Sequence, residues 1–411
     1  MARKPNPNEM ESNINFVNTI LESHKAPTLK EFMVELALIK SKQHHVIKWL
    51  EYEFMKGVER MDLNLGFGVT SYDRNVDCSD YPVFDEKMAR SITRSSSFES
   101  CLKVFCLRCV EVNGDAIALL VRHCKLLERL MIYRSNRRSD VEIGGTSLKH
   151  LDLRSREINH IEENYNIRVC APNLTWLTVD QNSGRVLLEN VPNLVHMNFY
   201  CRPRHGDSMF HFANAAAQLQ TLIIHISDPM VRFTVPEMPK LKKLVIYVRT
   251  NVYSFVPLPV PQFLSASPCL EELKIEISEI LFGAFPQFAS TPDIFEIPKV
   301  GEGCGHKQLK VFVLSGYCGV EKIEEFEFGH CKTSLELVRY IVENSVRLEE
   351  IVLGQCDRIG LVRDIVDYGD EPLHNYFIKP AIDHYRFAAT PDQRQAFKDR
   401  CNRNIYHHTL N

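Results

Sequence analysis

The amino-acid sequence predicts an α/β solenoid, a curved parallel sheet with helices and irregular arcs on its convex side. Three observations carry this. One phrase returns eight times between Leu102 and Ile275: LKVFCL, LERLMI, LKHLDL, LTWLTV, LVHMNF, LQTLII, LKKLVI and LEELKI. The starts, at Leu102, Leu127, Leu148, Leu174, Leu194, Leu219, Leu241 and Leu270, lie 25, 21, 26, 20, 25, 22 and 29 residues apart. The stretches between carry either a helical stripe or a proline just ahead of the next phrase. A return period of this length with this phrase is the leucine-rich-repeat signature.

Positions 1, 4 and 6 of the phrase are apolar. Positions 4 and 6 share one face of a strand, and position 1 closes the buried corner beside them. No unit this small buries its own apolar side, so the units stack and their strands join in a parallel sheet. In the arc EVNGDAIALLVRHCKLLERL, Ile117, Leu120, Val121 and Cys124 fall at helical spacing. In CAPNL, NVPNL and EMPKL a proline stops helix continuation and favours extended geometry before it.

Taken in order, residues 1–13 read as a polar, flexible tail and 14–100 as N-terminal capping repeats with an irregular insertion. INFVNTILESH places Phe16, Val17, Ile20 and Leu21 on one helical stripe, LKEFMV from Leu29 repeats the strand phrase, a second helix runs from about Lys42 to Lys56, and VERMDL from Val58 gives another strand. The rhythm lapses from Gly66 to Ser100, where a short strand is expected around Tyr81 to Phe84. Residues 101–280 form the central repeats, and 281–308 read as a flexible insertion whose GEGCG lacks the lysine and hydroxyl residue of a phosphate-binding loop. Residues 309–356 hold LKVFVL, a helix stripe of Leu335, Val338, Ile341 and Val342, and the closing strand LEEIVL. Residues 357–411 form a C-terminal extension with DQRQAFKDRCNRN as a possible helix.

The 411 residues, 45% hydrophobic, suffice for a large continuous core. A net charge of −3 from 49 basic and 52 acidic residues argues against nucleic acid as a partner. No apolar run suits a signal peptide or membrane span, so a cytoplasmic or nuclear location is expected. The 13 cysteines read as scattered reduced thiols packed as small hydrophobes, and no spacing suggests a metal site. Asn173-Leu174-Thr175 fits a glycosylation acceptor but lies at a strand start. No arrangement commits to catalysis, and no cofactor or metal is expected.

The order of elements resembles plant F-box/leucine-rich-repeat proteins with a C-terminal FBD domain. FVNTILESHKAPTLKEFMVEL is similar to the post-F-box helix and first repeat of that family. LKVFVLSGYCGV with SLELVRYIVENSVRLEEIVL is similar to the FBD core, so the resemblance spans residues 14–353. It implies a substrate adaptor of SCF-type ubiquitin ligases, its F-box holding a Skp1-type linker and its repeats the protein to be modified. Here too few residues precede the first repeat-like helix to hold an F-box, and no Leu-Pro phrase opens one. The expectation is a non-enzymatic recognition scaffold that does not hold the linker tightly by itself.

Positions 5 and 7 project from the concave side of the sheet. Across the repeats they are Met131 and Tyr133, Asp152 and Arg154, Thr178 and Asp180, Asn198 and Tyr200, Ile223 and His225, Val245 and Tyr247, Lys274 and Glu276. Aromatic side chains and arginine are the usual energetic anchors of interfaces. The candidate protein-binding residues are therefore Tyr133, Asp152, Arg154, Asp180, Tyr200, His225, Tyr247 and Glu276, facing a protein or peptide ligand; a mixed polar sheet face without a ligand is the alternative.

Overall fold

The computed structural model describes residues 6–66, 81–93, 101–133, 135, 139–154, 165–181, 185–201, 213–226, 234–250, 258–279, 306–317, 329–355 and 385–388. The chain forms two compact units, Met1–Val195 and His196–Asn411.

In chain order the first unit contains α1 (Pro7–Ser23), β1 (Glu31–Glu35), α2 (Gln43–Met55), β2 (Arg60–Asn64), β3 (Val83–Phe84), α3 (Glu86–Thr93), β4 (Val104–Arg108) and β5 (Glu111–Val112). It continues with α4 (Gly114–His123), β6 (Arg129–Tyr133), β7 (Val141–Gly144), β8 (His150–Arg154), β9 (Ile167–Cys170), β10 (Trp176–Gln181) and β11 (Val186–Glu189). Its main sheet runs β1-β2-β4-β6-β8-β10, every pair parallel. The second unit holds β12 (His196–Cys201), α5 (Ala213–Ala216), β13 (Thr221–Ile226), β14 (Lys243–Thr250), α6 (Val260–Ala266), β15 (Glu272–Glu279), β16 (Val311–Tyr317), α7 (Gly329–Asn344), β17 (Glu350–Gln355) and β18 (Tyr385–Ala388). Its strands β12 to β17 are parallel in chain order, and β18 pairs antiparallel with β17. This is the leucine-rich-repeat α/β class.

The phrase accounts for the core. All eight position-1 leucines, from Leu102 to Leu270, are buried. Position 4 makes one buried row, Phe105, Leu130, Leu151 and Leu177 in register, and position 6 a second, Leu107, Ile132, Leu153 and Val179. Burying each such side chain stabilises the fold by about 1.5–3 kcal/mol. A tight turn leads into several of the strands: Leu174 N–H donates to Ala171 C=O at 3.1 Å, and Leu194 and Leu241 donate likewise to Val191 and Met238. Asn173 belongs to this turn, its Nδ2 donating to Thr146 C=O at 2.6 Å, and Asn193 Nδ2 donates to Pro172 C=O at 2.8 Å. Asn173 and Asn193 thus tie the turns ahead of β10 and β12 to the preceding repeat. His306 does the same one level on: its ring lies 2.9 Å from Ser267 C=O while Nδ1 accepts Leu309 N–H at 3.0 Å, which makes Nε2 the donor.

Position 2 adds a pattern that the apolar phrase hides. Lys30, Glu59, Lys103, Glu128 and Lys149 alternate in sign along the first unit. Each N–H from Glu59 onward donates to the previous member's carbonyl, at 2.8–2.9 Å. Lys103 pairs with Glu59 at 2.7 Å and Lys149 with Glu128 at 2.9 Å. In the second unit, Lys310 pairs with Glu271 at 2.7 Å.

Several elements differ from the sequence expectation. Helix α1 begins at Pro7, ahead of residue 14, because Asn6 caps it: its Oδ1 accepts Asn8 N–H at 3.1 Å, and proline suits the first turn. The expected short strand near Tyr81 is β3, but it pairs with β5 in a small separate sheet. The arcs of three later repeats hold β7, β9 and β11, which form their own parallel sheet in place of helices. Their signal was the alternation of Val141 and Ile143, Ile167 and Val169, Val186 and Leu188, all buried. Gly114 opens α4 so close to Asp140 that a Cβ would lie 1.7 Å from that carbonyl oxygen. The 281–308 insertion up to residue 305 lies outside the described residues, as does the 357–411 extension apart from β18.

Candidate recognition face

On the side of each main sheet opposite the buried rows, parallel register sets side chains of like position next to one another, about 4.8 Å apart. In the first unit the middle row is Asp62, Cys106, Met131, Asp152 and Thr178, and the row beyond it Asn64, Arg108, Tyr133 and Arg154. The middle row is buried, because longer neighbours two residues away fold over it. Arg154 lies on Asp152, with Nε at 2.9 Å from Oδ1 and Nη2 at 3.0 Å from Oδ2. Trp176 Nε1 donates to Thr178 Oγ1 at 3.1 Å, and Arg108 reaches Asp62 at 3.2 Å. Tyr133 stands between two guanidinium groups, Arg154 at 4.3 Å and Arg108 at 5.7 Å from its ring centre.

The charges of this cluster are matched internally. Burial pushes Asp152 up to about 6, while Arg154 and hydrogen bonds from Arg154 and Tyr133 oppose the rise, so it remains ionised at neutral pH. Burial raises the Cys106 thiol and the Tyr133 hydroxyl well above their ordinary values. Neither group is a nucleophile under those conditions. Burial also lowers His150 to about 4, helped by Arg129 and Arg154, and its ring stacks on Trp176 at 5.7 Å. This face of the first unit is a packed polar layer in which the buried carboxylates of Asp62 and Asp152 are each paired with an arginine.

The second unit is built differently. Tyr200, His225, Tyr247, Glu276 and Ser315 occupy one row. The rings of Tyr200 and His225 stack at 3.9 Å and 7°, and those of His225 and Tyr247 at 4.6 Å and 13°. The strand spacing is close to ring-stacking distance, so a column of aromatic residues at position 7 pre-forms a rigid stack. Lys274 Nζ lies 5.6 Å from the Tyr247 ring centre and 2.9 Å from Glu276. The neighbouring row, Asn198, Ile223, Val245, Lys274, Val313 and Val352, is mostly apolar, with Ile223, Val313 and Val352 half-buried. Asn198 is buried, and no described group donates to its Oδ1.

The structure therefore brings Tyr133, Asp152 and Arg154 together in one unit and Tyr200, His225, Tyr247 and Glu276 in the other. Asp180 lies on β10, and its side chain is outside the described residues. Sequence reasoning missed Asp62 and Arg108, although they hold positions 5 and 7 of VERMDLN and LKVFCLR. Those two phrases carry the same positional signal as the later ones. Among the described residues no group of three or more His, Cys, Asp or Glu side chains could hold a metal ion. Among them, too, no helix is long and apolar enough to cross a membrane.

The family model described as At1g61320/AtMIF1, LRR domain, matches residues 20–365. No curated protein matches the chain. Domains of this type are non-catalytic scaffolds for protein interaction. Matched over most of its length, and carrying the parallel strand ladder and leucine corner that such repeats require, this chain belongs to the At1g61320/AtMIF1 family of plant leucine-rich-repeat domains.

Proposed function

We propose that this protein is a recognition scaffold that holds a peptide or a protein loop on the open face of its second unit. The observation that carries the reading is the Tyr200–His225–Tyr247 stack, three rings fixed in place beside an apolar row. Rings already ordered lose little entropy when a ligand packs on them. Glu276, held by Lys274, borders the stack and favours a ligand able to donate hydrogen bonds there. Tyr133, Asp152, Arg154 and Asp180 contribute less, because in the first unit the charges pair among themselves.

Proximity labelling identifies the partner, and titration of purified variants then measures the anchors. Tyr200→Ala should weaken binding by about 2 kcal/mol or more if the ring is an anchor. A core control, Leu177→Ala, should cost about 2–5 kcal/mol of stability instead. Unchanged affinity when Tyr200, His225 and Tyr247 are all truncated in a folded protein would refute the reading.

The second reading is a substrate-recognition subunit of an SCF-type ubiquitin ligase. It is supported by the likeness of residues 309–353 to the FBD core, whose parts lie in β16, α7 and β17. Co-purification with quantitative mass spectrometry separates the two. Stoichiometric recovery of a Skp1-type linker with a cullin favours the ligase subunit, and recovery of a partner without them favours the free scaffold. Fractionation should place the protein in the cytoplasm or nucleus.

A further inference from the structure

Among the described residues the main sheet of the first unit ends at β1, and they use only half of that strand's backbone hydrogen bonds. Lys30 C=O accepts the amides of Glu59 and Arg60 at 2.9 and 3.0 Å, and Leu36 N–H donates to Asn64 C=O at 2.9 Å. The even-numbered residues therefore bond to β2, and the peptide groups of Glu31, Met33 and Glu35 point away from it. Those three side chains alternate on the open face and are exposed, Met33 by 59%. Their neighbours Phe32 and Val34, facing the core, each keep 9% of their surface. Glu31 makes no ion pair with any described residue, and Glu35 accepts one bond, from Asn64 Nδ2 at 3.1 Å. Elsewhere on the two faces the acids Asp62, Asp152, Glu272 and Glu276 are each matched by an arginine or lysine.

We infer that the free edge of β1 accepts an extended segment of a partner protein as an added parallel strand, in the pattern basic–apolar–any–apolar–basic. Its basic ends lie beside Glu31 and Glu35, and its two apolar residues cover Phe32 and Val34. The amides of those apolar residues donate to Glu31 C=O and Met33 C=O, and their carbonyls accept from Met33 N–H and Glu35 N–H. The same geometry disfavours a second copy of this chain. Antiparallel pairing about Met33 would set Glu31 against Glu35 of the other copy, acid facing acid on both sides of the axis.

The probe is a synthetic peptide, Lys-Val-Thr-Val-Lys with Gly-Ser flanks, titrated into the full chain by fluorescence anisotropy. Saturable binding is expected, falling about tenfold or more when either valine amide is N-methylated, since each donates a ladder hydrogen bond. N-methylation of the threonine amide, which points away from β1, should change affinity by no more than about twofold. Exchanging both lysines for glutamate should abolish binding, and Glu31→Lys with Glu35→Lys should restore it. Absence of saturable binding would show that the acids merely guard the edge. Indifference to the position of N-methylation would show charge attraction without strand pairing, and either result overturns the proposal.

Discussion

Replacing Arg154 by methionine removes the guanidinium that holds a buried carboxylate. Asp152 keeps 6% of its side-chain surface and Arg154 18%, and the two are joined by bonds of 2.9 and 3.0 Å. Removing one partner of a buried pair costs about 3–5 kcal/mol. The partial exposure of Arg154 and the ease with which Asp152 takes up a proton set the cost near the low end, about 3 kcal/mol at pH 7.5. Burial raises the folded pKa of Asp152 from its ordinary 3.8 to about 6. The stability linked to that proton is complete below the unfolded value and lost as pH rises through the folded one. Without Arg154 the folded value climbs further, and the loss extends toward neutral pH. Arg154→Met should thus be less destabilised relative to the parent at pH 5 than at pH 7.5. Urea unfolding followed by tryptophan fluorescence suits the assay, because both tryptophans, Trp49 and Trp176, lie in the first unit. Adding Asp152→Asn should recover much of the loss. No loss at pH 7.5, or the same loss at both pH values, would mean that Asp152 is solvated and would refute the reasoning.

Two further predictions concern charge in the same unit. His150 is depressed to about 4, so the unfolded chain binds its proton first, and stability should fall as pH drops from 6.5 toward 4. His150→Gln should flatten that limb of the profile, and an unchanged limb would assign it to other groups. Lys103→Glu places three acids in succession at position 2, beside Glu59 and Glu128, in an exposed ladder. Its penalty should be small, visible at low ionic strength and removed by about 0.5 M salt; a penalty indifferent to salt would argue against the charge ladder.

The repeat and its core were legible in the sequence because the phrase encodes both the strand and the corner that buries it. Leu102 to Leu270 could be placed in the core without coordinates, and the parallel sheet followed from stacking. The rows of the open face were also legible, since register in such a ladder follows from the phrase: Tyr200, His225 and Tyr247 share position 7 and do form a stack. What those side chains do to one another was not. Asp152 and Tyr200 occupy positions 5 and 7 of the same pattern, on the same face. Yet one is buried under Arg154, whereas the other heads a column of rings. That difference arises from the side chains on neighbouring strands, which the spacing sets side by side but whose rotamers and burial depend on the packed structure. The arcs show the same limit, with VEIG, IRVC and VLLE too short for period alone to decide between strand and coil until each finds the next. The sequence by itself determined the repeat, its buried rows and which residues share a face. Tertiary structure decided which of them form buried ion pairs and which stack as rings, because desolvation and pairing energies depend on distances that a one-dimensional pattern does not contain.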